Sequence, residues 1–362
     1  VLLQYLLGFK DLGWQVLLVD RLDPQMSVDA SGRACPPESS VNWRYLNSTM
    51  RSAGLNGSFA LLTEGDGCIG MPRSEVLRRV RESDLFLNVM GFIDCPQLLG
   101  AAGNKVFLDI DPGFGQMWKE LGLADIFGDY DLYLTVGANV GKKGCSIPAA
   151  DIAWATTRPP VVLSHWPATG YKHEGFTSIG SWRGPFEPVD FAGRRYGLRV
   201  HEFRKFVALP ALAEQRFRLA MEMDPADQPD RHLLDAAGWE FEDPQQAAGD
   251  PWSYRRYVQE AKAEFLVAKG MYVDTRSGWI SDRSVCFLAS GKPVLAQETG
   301  LAGTLPTGEG LVTFTDLQGA YEGAASIEAE YRTHSRCARE LAEECFDSRK
   351  VLGRLVELAG AS

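Results

Sequence analysis

The residues best suited to chemistry lie in the turn from Gly278 to Ser284, which precedes an apolar helical segment. Ser281 or Asp282 can cap the start of that helix, and Arg283 and Ser284 follow in its first turn. Free backbone N–H groups and the positive end of the helix dipole attract an anion, and the guanidinium adds a forked cation. The turn therefore predicts a diphosphate site, although an ordinary helix cap with a solvated arginine would give the same pattern.

A second candidate site follows the apolar segment Pro293 to Ala296. The next residues are Gln297, Glu298, Thr299 and Gly300, which place an amide, a carboxylate, a hydroxyl and a flexible backbone at the predicted end of a strand. Sugar hydroxyls need such a mixture of donors and acceptors in fixed positions. We therefore expect these four residues to bind a sugar, with Glu298 as a candidate catalytic carboxylate.

Two carboxylates mark the first half of the chain. Asp109 and Asp111 flank Ile110 at the end of an apolar segment, directly before Pro112 and Gly113. Alternation along a strand places the two aspartates on one side, with only one of them free to face a cleft. Asp111 is nearer the turn, so we predict that it acts as a base or binds an acceptor. We expect Asp109, Pro112 and Gly113 to lie on the acceptor side as well.

The histidines and cysteines show no metal-binding pattern. The five histidines lack an H-E-x-x-H or paired spacing, and the seven cysteines include no C-x-x-C pair. We expect neither a metal nor a cofactor. Scattered cysteines suit a reducing compartment, so we predict a cytoplasmic location. The chain also lacks the G-x-S-x-G and G-x-x-x-x-G-K-[ST] segments of hydrolases and P-loop proteins.

The elements that must position these residues form two series. Short apolar segments alternate with helical patterns from Leu2 to Val136 and again from Phe176 to Phe314, which predicts parallel, doubly wound sheets. The stretch Thr157 to Pro167 contains three prolines and cannot be a regular helix. We therefore predict an α/β protein of two Rossmann-like domains that face a cleft, with ligands beyond the carboxyl ends of the strands.

The expected domains are residues 1–163 on the acceptor side, residues 164–345 on the donor side, and a helix in residues 346–362 that packs back on the first domain. A chain of 362 residues is long enough for two domains of ordinary size. Val1 falls inside a helical pattern, and Gln15 to Val19 is predicted to be the strand that follows. We expect upstream residues to supply an earlier strand.

Composition excludes several classes of protein. The net charge of −10 leaves no basic stripe for a nucleic acid, and no apolar run approaches the roughly 20 residues that cross a bilayer. A content of 45% hydrophobic and 23% charged residues is typical of a globular protein. We therefore expect no nucleic-acid partner and no transmembrane segment.

Three segments carry a resemblance to a known family. Ala289 to Ala296 resembles the Gly-Lys-Pro segment of retaining GT-B glycosyltransferases, and Glu264 to Phe314 is more similar to the group 1 (family 4-like) and spore-coat-type members. Leu3 to Gly13 resembles their first helix, and the similarity extends over nearly the whole chain. The resemblance implies the GT-B fold and transfer of a sugar from a nucleoside-diphosphate sugar.

The resemblance also implies further donor-binding residues. Gly180, Ser181 and Arg183 would contact the pyrophosphate, and Trp239 and Glu240 would close the nucleobase pocket.

The chain departs from the family at two positions. Retaining members hold the donor with two glutamates spaced Glu-x7-Glu, and Gly278 and Cys286 occupy those places here. We expect Ser281, Asp282 and Arg283 to bind the ribose and phosphates instead. The resemblance implies retention of the anomeric configuration, but without these glutamates inversion stays open.

The sequence therefore predicts a hexosyltransferase-type glycosyltransferase that needs no metal, with a nucleotide-sugar donor and a small-molecule or glycan acceptor. Two alternatives stay open. A nucleotide-sugar epimerase of the same fold would use the same donor pocket but needs acid and base carboxylates and no acceptor groove. A non-catalytic sugar-nucleotide-binding protein would explain the replaced glutamates.

Overall fold

The computed structural model describes residues 1–361, which form an α/β fold of two halves that meet at a cleft. The first half holds two sheets, with strand orders β1-β2-β3 and β4-β5-β6-β7. All pairs are parallel except β2 with β3. The strands are β1 (Leu18–Arg21), β2 (Phe59–Leu62), β3 (Cys68–Ile69), β4 (Phe86–Val89), β5 (Lys105–Asp109), β6 (Leu132–Thr135) and β7 (Trp154–Thr156).

The two sheets of the first half are not joined by a strand from the described part of the chain. There, β1 pairs only with β2, and β4 pairs only with β5. An ion pair of 2.7 Å between Arg21 and Asp94 links the ends of β1 and β4. The expectation that upstream residues supply a strand stays a prediction.

Five helices cover the sheets of the first half. They are α1 (Leu2–Asp11), α2 (Val41–Ser52), α3 (Arg73–Arg81), α4 (Pro96–Ala101) and α5 (Phe114–Glu120). Each of the longer ones buries one apolar stripe, as Val76 and Val80 of α3 show. α5 directly follows the carboxyl end of β5, so it positions the Asp109 to Gly113 turn.

The second half is built on one parallel sheet of six strands, in the order β12-β11-β8-β13-β14-β15. A separate antiparallel hairpin, β9-β10, follows β8. The strands are β8 (His173–Ser181), β9 (Val189–Phe191), β10 (Arg194–Tyr196), β11 (Phe217–Glu222), β12 (Glu240–Phe241), β13 (Ala261–Leu266), β14 (Val294–Gln297) and β15 (Leu311–Phe314).

The helices of the second half lie on both faces of this sheet. They are α6 (Arg199–Phe203), α7 (Leu209–Leu212), α8 (Gln228–Ala236), α9 (Pro244–Ala248), α10 (Pro251–Glu260), α11 (Gly270–Thr275), α12 (Asp282–Ala289), α13 (Leu317–Ala329) and α14 (Tyr331–Cys345). A last helix, α15 (Ser348–Ala359), follows them in the chain and packs on the first half. β13 and β14 are buried at every residue, as expected for central parallel strands. These two strands therefore set the positions of α11 and α12.

The chain passes between the halves twice, and the two crossings are hydrogen-bonded to each other. Val161 N–H donates to the carbonyl of Phe346 at 2.8 Å, and Ser348 N–H donates to the carbonyl of Val161 at 2.9 Å. After the second crossing, α15 buries Leu352 against Tyr5 and other core residues of the first half. The last helix therefore contacts the domain that opens the chain.

The predicted α/β fold with parallel sheets is confirmed, and two element boundaries are corrected. Strand β1 begins at Leu18, later than the predicted Gln15 to Val19 segment. The sequence has helical spacing from Tyr254 to Ala263, but α10 stops at Glu260 and β13 begins at the next residue. The physical reason is burial: all six residues of β13 lie inside the sheet, and tertiary packing overrides local helical spacing. None of the helices in residues 1–361 is long and apolar enough to cross a bilayer.

Candidate functional site: a cluster of cations at the cleft

Arg199, the first residue of α6, joins the carboxyl ends of two neighbouring strands. Its Nη1 donates to the carbonyl of Ser181 at the end of β8, at 2.8 Å, and its Nε donates to the carbonyl of Val267 just after β13, at 3.2 Å. Its side chain is buried. Burial, together with the smaller effect of the nearby charge of Arg283, lowers the pKa of this guanidinium to about 10. A cation is thus fixed where parallel sheets bind ligands.

Arg283 lies beside Arg199 in the first turn of α12. Ser281 caps this helix, since its Oγ accepts a hydrogen bond from the Arg283 N–H at 3.2 Å. About a quarter of the Arg283 side chain is exposed (26%), and within residues 1–361 its Nε has no hydrogen-bond partner. A forked donor that is reachable from the cleft and not fully used by the protein can accept an anionic ligand.

Gly180 is the point on which the two guanidinium groups converge. A Cβ atom added there would lie 2.7 Å from Arg199 Nη1 and 3.9 Å from Arg283 Nη2. The residue has a φ of +152°, which also favours glycine. Two guanidinium groups this close repel each other, so an anion between them would be stabilised by both.

Lys269 completes the cluster and connects it to the first half. Its Nζ donates to Asp111 Oδ2 at 2.5 Å, and Tyr272 Oη donates to Asp111 Oδ1. Burial lowers the pKa of Lys269, and the carboxylate of Asp111 opposes that shift. The ion pair joins the turn after β5 to the turn after β13.

Asp109 holds the turn that presents Asp111. Its carboxylate accepts hydrogen bonds from Gln116 Nε2 (2.8 Å), Thr135 Oγ1 (2.9 Å) and the Asp111 N–H (3.0 Å). Burial raises the pKa of Asp109 to about 6, and these hydrogen bonds oppose the shift. Asp109 is therefore a support for the turn, and Asp111 is the carboxylate that faces the cleft.

The rest of the turn after β5 touches the second half directly. A Cβ atom on Gly113 would lie 2.6 Å from Met271 Sδ of α11, and the φ of Gly113 is +110°. Pro112 packs against Gly137, the first residue after Val136. Glycine at 113 thus allows the close approach that brings Asp111 to Lys269.

Several residues predicted to bind the donor use their polar atoms inside the protein. The guanidinium of Arg183 binds Asp227, and Glu240 binds Arg216. Trp239 lies in the aromatic core and donates from Nε1 to the carbonyl of Val207 at 2.8 Å. The structure therefore places Arg183 in an ion pair with the buried Asp227, Glu240 on an edge strand and Trp239 in the core.

The predicted sugar-binding turn after β14 is also occupied by internal contacts. Gln297 bridges the Ala268 N–H and Glu202, and Thr299 Oγ1 donates to the carbonyl of Trp279. Glu298 Oε1 accepts hydrogen bonds from the N–H groups of Gly300 and Leu301. These contacts shape the turn, and the structure does not bring the Glu298 carboxylate into the cluster of cations.

Asp282 and Ser284 lie next to Arg283 but have different surroundings. Asp282 Oδ1 is 4.0 Å from Arg283 Nη1, and its other oxygen is 4.0 Å from the Val1 ammonium group. Ser284 is buried, and its Oγ has no hydrogen-bond partner among residues 1–361. Asp282 thus places a negative charge at the rim of the cluster.

Glu264 is a buried carboxyl group on β13, beneath the start of α12. Burial raises its pKa from 4.5 to about 7, whereas the charges of Arg283 and Arg199 oppose the shift and that of Asp282 adds to it. Its Oε2 has no hydrogen-bond partner within residues 1–361. At neutral pH the Glu264 carboxyl group is therefore partly protonated. Because its pKa differs between the folded and unfolded chain, the free energy of unfolding depends on pH.

We expect Glu264→Gln to weaken the pH dependence of stability. The folded carboxyl group stays protonated up to about pH 7, whereas the unfolded one ionises near 4.5, so stability is fully present below 4.5 and declines as the pH rises to 7. The loss amounts to roughly 3 kcal/mol, because each pKa unit corresponds to about 1.4 kcal/mol. The amide does not ionise, so the variant should lose about 3 kcal/mol less than the wild type over this range, whereas Asp109, whose pKa is also raised, contributes to the decline in both proteins.

Urea unfolding of the wild type and the variant at pH 4.5 and 8 measures the difference. Glu357→Gln, at an exposed position, is the control and should follow the wild type. An equal decline in Glu264→Gln and the wild type would contradict the assignment.

The sequence did not point to Arg199 or Lys269. Lys269 follows the end of β13 by three residues, so its position at a strand end was a usable signal. Arg199 lies eighteen residues after Ser181, beyond the β9-β10 hairpin, and no local pattern connects it to the strand end.

The comparisons with known proteins agree on the fold. No protein-family model and no curated protein matches the chain. Among solved structures, Anabaena Alr3699/HepE in complex with UDP-glucose is similar over 99% of this chain and 94% of that chain, with 12% identity and a TM-score of 0.60. A sucrose-phosphate synthase (tll1590) from Thermosynechococcus elongatus is similar over 94% and 98%, with 13% identity and a TM-score of 0.53.

A third solved structure, the glycosyltransferase AviGT4 involved in avilamycin A biosynthesis, is similar over 95% of this chain and 97% of that chain. The identity is 12% and the TM-score is 0.51. These similarities extend over both halves and the cleft between them. The chain therefore has the GT-B fold, with the cation cluster at the cleft.

Proposed function

We propose that the protein is a glycosyltransferase that moves a sugar from a nucleoside-diphosphate sugar to an acceptor hydroxyl. The observation that carries this proposal is the convergence of Arg199, Arg283 and Lys269 at the carboxyl ends of β8 and β13, opposite Asp111. A diphosphate carries the charge that such a cluster binds, and it gains charge when it leaves. An epimerase would need a second carboxylate beside Asp111, and Asp109 is held inside the turn by Gln116 and Thr135.

The proposed reaction is a single displacement at the anomeric carbon. The acceptor oxygen forms a bond to this carbon, and the bond from the carbon to the diphosphate breaks, with its electron pair leaving on the nucleoside diphosphate. The hydroxyl proton passes to Asp111, which acts as the base. Arg199 and Arg283 stabilise the charge of the departing phosphates. The ammonium group of Lys269, which pairs with Asp111 before the reaction, then pairs with the phosphates of the donor.

Two further features belong to the proposal. We infer that the three cations replace a metal ion as the stabiliser of the leaving group. We also infer that the donor is a uridine nucleotide sugar, since HepE, a structure with the same fold, was solved with UDP-glucose. The nucleobase has no assigned pocket among the residues named above, so other nucleotides belong in the first experiment.

A ligand panel tests the proposed function. Thermal stability is measured with UDP-glucose, GDP-mannose, ADP-glucose, UDP and glucose, and we expect the nucleotide sugars and UDP to raise the melting temperature whereas glucose does not. Release of UDP is then followed with and without EDTA, and NMR of the sugar assigns the anomer of the product. An inverted product supports Asp111 as the base, and a retained one assigns Asp111 to holding the acceptor.

The same panel separates the alternatives. Conversion of the bound sugar to its epimer, without release of UDP, would establish an epimerase. Binding without any turnover across acceptors would favour a sugar-nucleotide-binding protein. If no nucleotide raises the melting temperature, the donor site is not in the cation cluster and the proposal fails.

A further inference from the structure

A cavity lies between the two halves, next to the cation cluster. It has a volume of about 550 Å³ and is formed by α5 with the turn after it and by the segment that leads into β9. We call it the α5 groove. It is lined by Trp118, Leu121, Leu123, Pro185, Phe186, Glu187, Pro188, Val189 and Asp190. A small molecule in the groove would contact both halves.

The lining of the groove is mostly apolar. Of the nine lining residues, only Glu187 and Asp190 are charged. Leu123 is 70% exposed and Leu121 is 42% exposed, so two leucines on one side of the groove lie in water. Such side chains forgo the free energy of burial unless a ligand covers them.

The aromatic wall of the groove leads directly to Asp111. The Phe186 ring packs against Trp118 at 5.1 Å and against the buried Phe114 at 4.9 Å between ring centres. Lys269 Nζ lies 5.2 Å from the centre of the Phe186 ring and 2.5 Å from Asp111 Oδ2. The groove and the proposed base therefore share one ammonium group as a neighbour.

These contacts determine the kind of acceptor that the groove suits. A glycan needs amide, hydroxyl and carboxylate partners for its many hydroxyl groups, and the groove offers two carboxylates among apolar walls. An apolar or aromatic ring would stack on Phe186 and Trp118 and cover the leucines. A hydroxyl group at the Phe186 end of such a molecule would lie on the side of the groove nearest to Lys269 and its partner Asp111.

We propose that the α5 groove binds the acceptor and that the acceptor is a hydroxyl-bearing molecule with an apolar or aromatic body, not a glycan. This inference rests on the proposed glycosyl transfer, whose substrate class it names. The hydroxyl oxygen of this molecule forms the new bond to the anomeric carbon, its proton passes to Asp111, and the nucleoside diphosphate leaves with the electron pair of the broken bond.

The test uses 4-methylumbelliferone as the aromatic probe and methyl glucoside as the glycan-like probe. Binding of each to the full chain is measured by calorimetry in the presence of UDP. We expect the aromatic probe to bind at least tenfold more tightly than the glucoside. Leu123→Asp and Leu121→Asp, each at an exposed position, should weaken the aromatic probe about tenfold and leave the affinity for UDP unchanged.

Leu233→Asp is the matched control, because this leucine is also exposed (51%) and does not line the groove. It should leave both affinities unchanged. The inference is overturned if the groove variants bind the aromatic probe as tightly as the wild type, or if the glucoside binds as tightly as the aromatic probe.

The two proposals fail in different ways. Binding of UDP without binding of the aromatic probe would overturn the acceptor class and leave the donor site intact. Binding of the aromatic probe that depends on Leu123, without any binding of UDP, would contradict glycosyl transfer and still support the ligand class of the groove.

Discussion

Arg283→Ala is expected to lower turnover about a hundredfold, because a charge-assisted donor to the leaving diphosphate is lost; this corresponds to roughly 2 to 4 kcal/mol of transition-state stabilisation. The guanidinium lies beside Arg199 with its Nη2 near Gly180, and about a quarter of the side chain is exposed (26%), so the phosphates can reach it. Donor affinity should fall less than turnover, since the bound diphosphate carries less charge on its bridging oxygen before the bond breaks.

Replacing Arg283 with lysine tests whether the phosphates need the forked guanidinium group or only a positive charge. Arg283→Lys should recover only part of the lost turnover, because a lysine cannot donate two parallel hydrogen bonds. Arg354→Ala, which removes an exposed arginine of α15, should retain full activity. Turnover and donor dissociation constants are measured for all three variants, and equal activity in the three would make Arg283 a solvated cap residue.

Asp111→Asn should have an effect of similar or larger size, with a different signature. Loss of a general base lowers turnover by roughly two to four orders of magnitude. The donor dissociation constant should stay equal or decrease, since the asparagine no longer neutralises Lys269 and leaves its charge to the diphosphate. The expected result is therefore a large loss of turnover with undiminished donor binding.

A neighbouring ion pair provides the control for Asp111→Asn. Asp274 of α11 binds Arg194 at 2.5 Å. Asp274→Asn therefore also removes a carboxylate from an ion pair, close to α11, the helix whose Tyr272 contacts Asp111. This variant should keep wild-type turnover. Turnover of Asp111→Asn within threefold of the wild type would remove Asp111 from the reaction, and weaker donor binding would mean that the pair with Lys269 supports the donor site.

The sequence predicted the fold from local patterns, which depend only on residues that are close together in the chain. The buried strand β14 begins with three apolar residues, and Ser281 before α12 is a local capping signal. The turn after β5 was predictable for the same reason, because Asp109 and Asp111 alternate at a strand end. Local periodicity and strand ends therefore located the cleft.

Side chains whose role depends on a distant partner were not predictable. Arg183 follows β8 and Arg283 lies in the first turn of α12, and both look suited to a phosphate. Asp227 binds the first, whereas no carboxylate binds the second bidentately. Asp227 is forty-four residues from Arg183, so no spacing in the sequence announces the pair. Residue type and position at a strand end identify candidates, and only tertiary contacts reveal which polar atoms stay available.

The paired crossings between the halves also constrain motion. Because Val161 is hydrogen-bonded to Phe346 and Ser348, the two connecting segments cannot bend independently. We expect them to bend together as one hinge, with α15 attached to the first half through Leu352. Opening of the cleft would then separate Asp111 from Lys269.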